Sequence, residues 1–154
     1  MLQIDFLVQM LKQCRENGIN TATDTAGNVP FTSFEKVLPY VDTFLYDIKC
    51  INEELHISGT GHTNKLILEN FNKLLSIGAS VVVRVLVIGG FNDTDEEMEA
   101  ICTFLKDNKI SGVELLPYHN LGAHKYEGLG VEMSKYHVPT DEQMEKYRKM
   151  LKEI

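Results

Sequence analysis

VVVRVLVIGG, Val81 to Gly90, is a run of β-branched and aliphatic residues interrupted once by Arg84 and closed by two glycines. Valine at this density favours a pleated strand, and the glycines end it. A membrane-spanning helix needs about 18 or more apolar residues in succession, so the run is a strand and not a span. Its alternate positions are apolar on both sides, which predicts a parallel sheet with neither face in water. The arginine in its middle then needs a reason.

The segments on either side repeat one rhythm. Before the run, TNKLILENFNKLLSIG places Ile67, Phe71, Leu74 and Leu75 on one helical face and stops at Gly78. VDTFLYDIK, Val41 to Lys49, reads as the preceding strand, and NTATDT, Asn20 to Thr25, as a shorter one before that. A brief helix through FEKVLPY, started by Thr32 or Ser33, joins them, and an opening helix capped by Asp5 ends at Gly18. After the run, Thr94 and Glu97 have the spacing of a capping box for a helix carrying Met98, Ile101, Cys102 and Leu105. VELLPYH is a fourth strand. A last helix from Thr140, with Gln143 in the box position, presents Met144, Tyr147, Leu151 and Ile154. Strands alternating with helices predict an α/β fold with four parallel strands and outer helices, too few strands to close a barrel alone. The 154 residues are expected to form a single domain. Between His119 and Pro139 lies a long glycine-rich stretch, of the kind that is usually functional or mobile.

Composition narrows the function classes. With 44% hydrophobic and 24% charged residues the chain has a globular balance, and its formal charge of −7 argues against a nucleic-acid partner. Neither a membrane span nor a basic-then-apolar export signal is present in this sequence, which makes the cytoplasm the expected location. The three cysteines, Cys14, Cys50 and Cys102, are scattered, which suits reduced thiols and neither a disulfide framework nor a metal loop. No residue is assigned a catalytic or metal-ligating role.

Polar residues gather near the ends of the strands, where parallel α/β folds bind ligands. Asp24 stands near the end of the first strand. Asp47 and Lys49, one residue apart, point the same way with Leu45, and Arg84 shares a face with Val82 and Leu86. His119 closes the strand that includes Leu115. Each has a structural alternative: a turn brace for Asp24, an exposed ion pair for Asp47 and Lys49, a buried bridge from Arg84 to Asp47, a hydrogen-bonded imidazole for His119. Taken together they suit a small zwitterionic or polyhydroxyl ligand, because carboxylates hold ammonium groups and diols while cations hold carboxylates.

The motifs TATDTAGNVP, YVDTFLYDIK, ELHISGTGHTNKLILENF, VVVRVLVIGGFNDTDEE and GVELLPYHNLGAHKYEGLG, in this order, resemble the glycyl-radical-enzyme activating enzymes, such as the activase of pyruvate formate-lyase. These are radical S-adenosylmethionine (SAM) proteins. The resemblance covers nearly the whole chain and rests on YDIK, H…TG…N, R-x-x-x-I-x-G-x-N-D and LLPYH-x-LG together. It implies a partial TIM-like barrel that holds a 4Fe–4S cluster and SAM and draws a hydrogen atom from a backbone glycine of a partner glycyl-radical enzyme. Carried over residue by residue, Asp24 and Thr25 match the acidic site near the methionyl amino group. Asp47 and Lys49 match the contacts to ribose and methionyl portions, Arg84 an arginine near SAM and the incoming glycine loop, and His119 a histidine beside the adenine. Gly89 departs from the pattern, which commonly has proline there. The family's CxxxCxxC motif and its GGE-like turn do not occur in this sequence. The chain is therefore expected to match the C-terminal portion of such an enzyme, without the cluster-binding portion, to be inactive alone, and to self-associate through an exposed sheet edge. A non-catalytic SAM- or partner-binding half barrel, or a half completed by a separate cysteine-bearing chain, are the alternatives.

Overall fold

The computed structural model describes residues 1–132 and 136–153, and Ile154, expected on the last helix's apolar face, lies outside them. Four parallel strands form one sheet in sequential order: β1 (Ala22–Thr25), β2 (Thr43–Asp47), β3 (Val81–Val87) and β4 (Gly112–Pro117). Among the described residues, seven α-helices connect and flank them: α1 (Ile4–Glu16), α2 (Phe31–Val37), α3 (Glu53–Thr60), α4 (Lys65–Ser76), α5 (Asp95–Lys106), α6 (Ala123–Leu129) and α7 (Asp141–Lys152). A parallel pair needs a crossover, and here each crossover carries at least one helix, as short connections between parallel strands cannot.

The core lies on one side of this sheet. Phe44, Tyr46, Val81, Val83, Val85 and Val87 are buried against Phe34, Phe71, Leu74, Met98, Ile101, Leu105 and Tyr147 from the helices. Alternate residues face the other way, and there Leu45, Asp47, Val82, Arg84 and Leu86 are only half-buried. The expectation that neither face meets water is therefore corrected. One face is covered by helices, and the other is half-open. That half-open face explains how β3 is apolar at nearly every position yet admits Arg84.

Several local expectations also change. Helix α1 begins after Gln3, and Asp5 sits in its first turn, where a carboxylate suits the positive end of the helix dipole. Helix α2 starts at Phe31, after Pro30, one residue before Thr32 and two before Ser33. Helix α3 was not expected at all. Its Asn52 cap accepts from Leu55 N at 2.9 Å, and Gly61 closes it with φ of 75°, a conformation that side chains other than glycine seldom adopt. The glycine-rich stretch likewise contains α6, with residues 133–135 outside the described residues. At Thr140 the capping box is complete in both directions. At Thr94 only half of it forms: Thr94 accepts from Glu97 N at 3.2 Å, while the Glu97 side chain turns elsewhere.

Candidate functional site

Four of the six candidate residues meet on the open face, near the carboxyl ends of β1 and β2 and the middle of β3. Register sets this up, because Asp47 lies beside Arg84 and Asp24 beside Leu45 in the sheet. The guanidinium of Arg84 reaches across two strands. Its Nη2 donates to both oxygens of Asp24 at 2.7 Å, and its Nε and Nη2 donate to Asp47 Oδ1 at 3.0 Å. Lys49, two residues past the end of β2, places Nζ 4.0 Å from the other oxygen of Asp47. Side-chain exposure falls from 58% at Asp24, on the edge strand, to 27% at Asp47 and 20% at Arg84. The cluster is thus sheltered inside the sheet and open toward the β1 edge. Burial alone would lower the pKa of Arg84, but the hydrogen bond and charge of Asp47, with the charge of Asp24, raise it above its ordinary value. Two carboxylates and two cations leave no net charge. The Arg84–Asp24 pair, open to water on the Asp24 side, contributes little to stability.

The other two candidates stand apart from this cluster. Thr25 lies opposite Tyr46 in the register, on the helix-packed face, and its Oγ1 accepts from Gly27 N at 3.0 Å. It braces the turn after β1. His119 is exposed and lies beyond the end of β4 at Pro117, without a hydrogen bond among the described residues to any member of the cluster. The face of Arg84 continues on β4 through Glu114 and Leu116, whereas Leu115 packs toward the helical core. Alternation through Leu115 therefore does not carry His119 to the cluster. Glu114, beside Arg84 in the register and exposed, is the carboxylate on this face that the sequence reading missed.

The loop that carries Lys49 is held by side chains of three other elements. Buried Asn92 donates to Lys49 O at 2.5 Å and Leu86 O at 2.9 Å, and accepts from Ile88 N at 2.7 Å. Buried Asn64 donates to Cys50 O at 3.1 Å and Ile51 O at 2.8 Å. Glu97, also buried, accepts from Ile51 N and, at 3.3 Å, from Asn52 N. The H…TG…N motif acquires a physical meaning here. His56 is held by Thr60 Oγ1 at 3.0 Å and faces His62 O at 2.7 Å, Gly61 ends the helix, and Asn64 reaches the loop.

Gly89 is explained by the segment before α7. Its N–H donates to His137 O at 2.9 Å and its carbonyl accepts from His137 N at 3.1 Å, forming a two-way bridge. A Cβ at this position would overlap the imidazole and lie 2.6 Å from His137 O. Proline would remove the donor and fill the space, so this chain's departure from the usual pattern is built into its packing.

The cysteines do not fit an iron–sulfur cluster. Cys14 lies on α1, Cys50 after β2 and Cys102 on α5, and among the described residues no group of three or more His, Cys, Asp or Glu side chains is placed to hold a metal. Burial and, secondarily, the charge of Glu97 push the Cys50 thiol up to about 12 despite Lys49. Burial, then Glu99 and Glu153, also raise Cys102. Thiolate ligands require the opposite shift.

Similar folds occur among radical SAM proteins. A domain of pyruvate-formate lyase-activating enzyme from Bacteroides vulgatus superposes over 99% of this chain and 87% of its own, with TM-score 0.82 at 23% identity. Coproporphyrinogen III oxidase from Escherichia coli covers 98% of this chain and 36% of its own, with TM-score 0.63 at 11% identity. These likenesses show the fold: an α/β section of a TIM-type barrel with four parallel strands.

Sequence similarity then specifies the group. The chain is 38% identical over 154 residues to trans-4-hydroxy-L-proline dehydratase activating enzyme of Clostridioides difficile, covering 96% of this chain and 50% of that protein. It is 41% identical over 135 residues to isethionate sulfite-lyase activating enzyme of Desulfovibrio desulfuricans, covering 86% and 43%. No protein-family model matches the chain. The chain belongs with the glycyl-radical-enzyme activating enzymes, as a partial one: it spans about half the length of the curated relatives it matches.

Proposed function

We propose that this chain supplies the SAM-facing strand ends of a glycyl-radical-enzyme activating enzyme, and that the charged cluster is its ligand site. The observation that carries this reading is the convergence of Asp24, Asp47, Lys49 and Arg84 within hydrogen-bonding or ion-pairing distance on the open face. The donor set suits the ligand. Asp24 takes the methionyl ammonium, Asp47 and Lys49 take the ribose diol and the methionyl portion, and Arg84 faces the carboxylate or an incoming glycine segment. His119 approaches the adenine from the end of β4. When bound beside a reducing cluster, SAM supplies the hydrogen-abstracting chemistry, and the protein positions it. The partner is a glycyl-radical enzyme, pyruvate formate-lyase-like by resemblance, and the location is the cytoplasm. No described helix is long and apolar enough to cross a membrane.

The cysteines' placement favours a second form of the reading, in which the chain binds SAM or a partner without chemistry of its own or is completed by a cysteine-bearing polypeptide. The open edge of β1 and the exposure of Asp24 beside it give such a polypeptide a place to pair, and give a second copy the same opportunity. Anaerobic reconstitution with iron and sulfide, followed by an iron count and a 5′-deoxyadenosine assay, tests both forms. The chain alone is expected to show neither a stoichiometric cluster nor SAM cleavage. Adding a barrel segment that bears CxxxCxxC is expected to restore both. A stoichiometric cluster with turnover in the chain alone overturns the reading.

A further inference from the structure

Two residues at helix starts spend their side chains away from their own helices. Asn64 stands at the N-cap of α4 yet makes no side-chain cap bond, and Glu97 occupies the box position of α5 without returning a bond to Thr94. Both are buried, and both turn to the loop of residues 49–52. Local capping chemistry yields to a long-range contact, as it does at functional sites. The two are not equivalent. Asn64 holds carbonyls, while Glu97 brings a carboxylate to the two successive N–H groups of Ile51 and Asn52. These lie between Lys49 and the start of α3. The same four residues therefore have donors fixed from α5 and acceptors fixed from α4 and from Asn92.

We infer that Glu97 is a positioning residue: by clamping the Ile51 and Asn52 amides it fixes the loop that aims Lys49 at Asp47 and the ligand. The ligand clause rests on the functional reading above, whereas the clamp does not. A carboxylate accepting two N–H groups in a buried site gives stronger, shorter hydrogen bonds than a neutral acceptor does. A glutamine at this position keeps the shape but has a single carbonyl oxygen for two donors, and presents an NH2 where the second acceptor stood.

The test compares Glu97→Gln with Thr94→Ala, which removes the helix cap of α5 but leaves the loop's partners in place. Two readouts need no ligand: hydrogen exchange at the Ile51 and Asn52 amides, and the amine-labelling rate of Lys49 by mass spectrometry. Losing the charged acceptor is expected to speed exchange at both amides by about tenfold relative to Val83 and Val85, with faster Lys49 labelling. Thr94→Ala is expected to leave both readouts unchanged. Should Glu97→Gln fail to fold, Glu97→Asp, which keeps the charge but withdraws the carboxylate by one methylene, is expected to speed exchange at the same two amides. Unchanged exchange at Ile51 and Asn52, or a uniform rise across α5 and β3 with no selective effect on Lys49, overturns the inference. Absence of SAM binding by the unaltered chain, with the exchange result as expected, counts against the functional reading and leaves the clamp standing.

Discussion

The ends of β2 and β4 are built in opposite ways. Beyond β2, the backbone of residues 49–52 is gripped by Asn64, Asn92 and Glu97, each buried and each from a different part of the chain. Beyond β4, His119 is exposed, and the glycine-rich stretch that follows leaves Leu121, Tyr126 and Leu129 in solvent. Among the described residues, the stretch is fastened again at its far end, where Tyr136 packs against Phe91 and Tyr118 and His137 bridges Gly89. Buried polar networks are rigid when every member is satisfied, so the backbone beyond β2 is held by its side-chain partners, whereas no buried side chain among the described residues grips the backbone at His119 in the same way.

Breaking the β2 end should have the largest effect. Asn92→Ala leaves Lys49 O, Leu86 O and Ile88 N without their partner in a buried setting, at a cost of about 3 kcal/mol or more, read from urea denaturation. Gly89→Pro should cost less, about 2 kcal/mol, because one bond of the bridge is lost and the segment before α7 can move aside. Its signature is faster exchange at the His137 amide with little change at Ile51. Alkaline pH separates the two ends without a mutation. The folded state keeps the Cys50 proton up to about 12 whereas an unfolded thiol releases its own near 9.0, so stability should fall as pH rises through that window. Cys50→Ala should flatten that fall, measured as the denaturation midpoint against pH. His119→Ala should be the mildest change, within about 0.5 kcal/mol of the parent in stability. A large loss there would show that the β4 end is as tightly built as the β2 end.

Much of this fold is readable from residue order. The β-branched runs around Phe44 and Val81 mark strands, and the 3.6-residue spacing of Ile67, Phe71 and Leu74 marks α4, because periodicity reports which face is buried. The open face was harder to see. Val82 and Leu86 are as apolar as their helix-facing neighbours, so hydrophobicity alone does not separate a barrel lining from a second helix layer. Asp24, Asp47 and Lys49 could be grouped from strand-end position, and Arg84 could be placed on one face by its alternation with Val82 and Leu86. Thr25 and His119 could not be placed that way, since alternation reverses at each residue and lapses past the end of a strand. Glu97 was hidden by a plausible local role: T-x-x-E spells a capping box, and nothing within that spacing reveals that its carboxylate reaches a loop some 45 residues earlier.

The central claim is that the four charged residues on the open face receive SAM. It is tested most directly by following backbone amide signals of the chain while SAM is added in excess, beside an Arg84→Met variant. Selective, saturable shifts at Asp24, Asp47, Lys49 and Arg84, lost in the variant, are the predicted result. Shifts absent at saturating SAM, or centred on the helix-covered side of the sheet and unaffected by Arg84→Met, would contradict it.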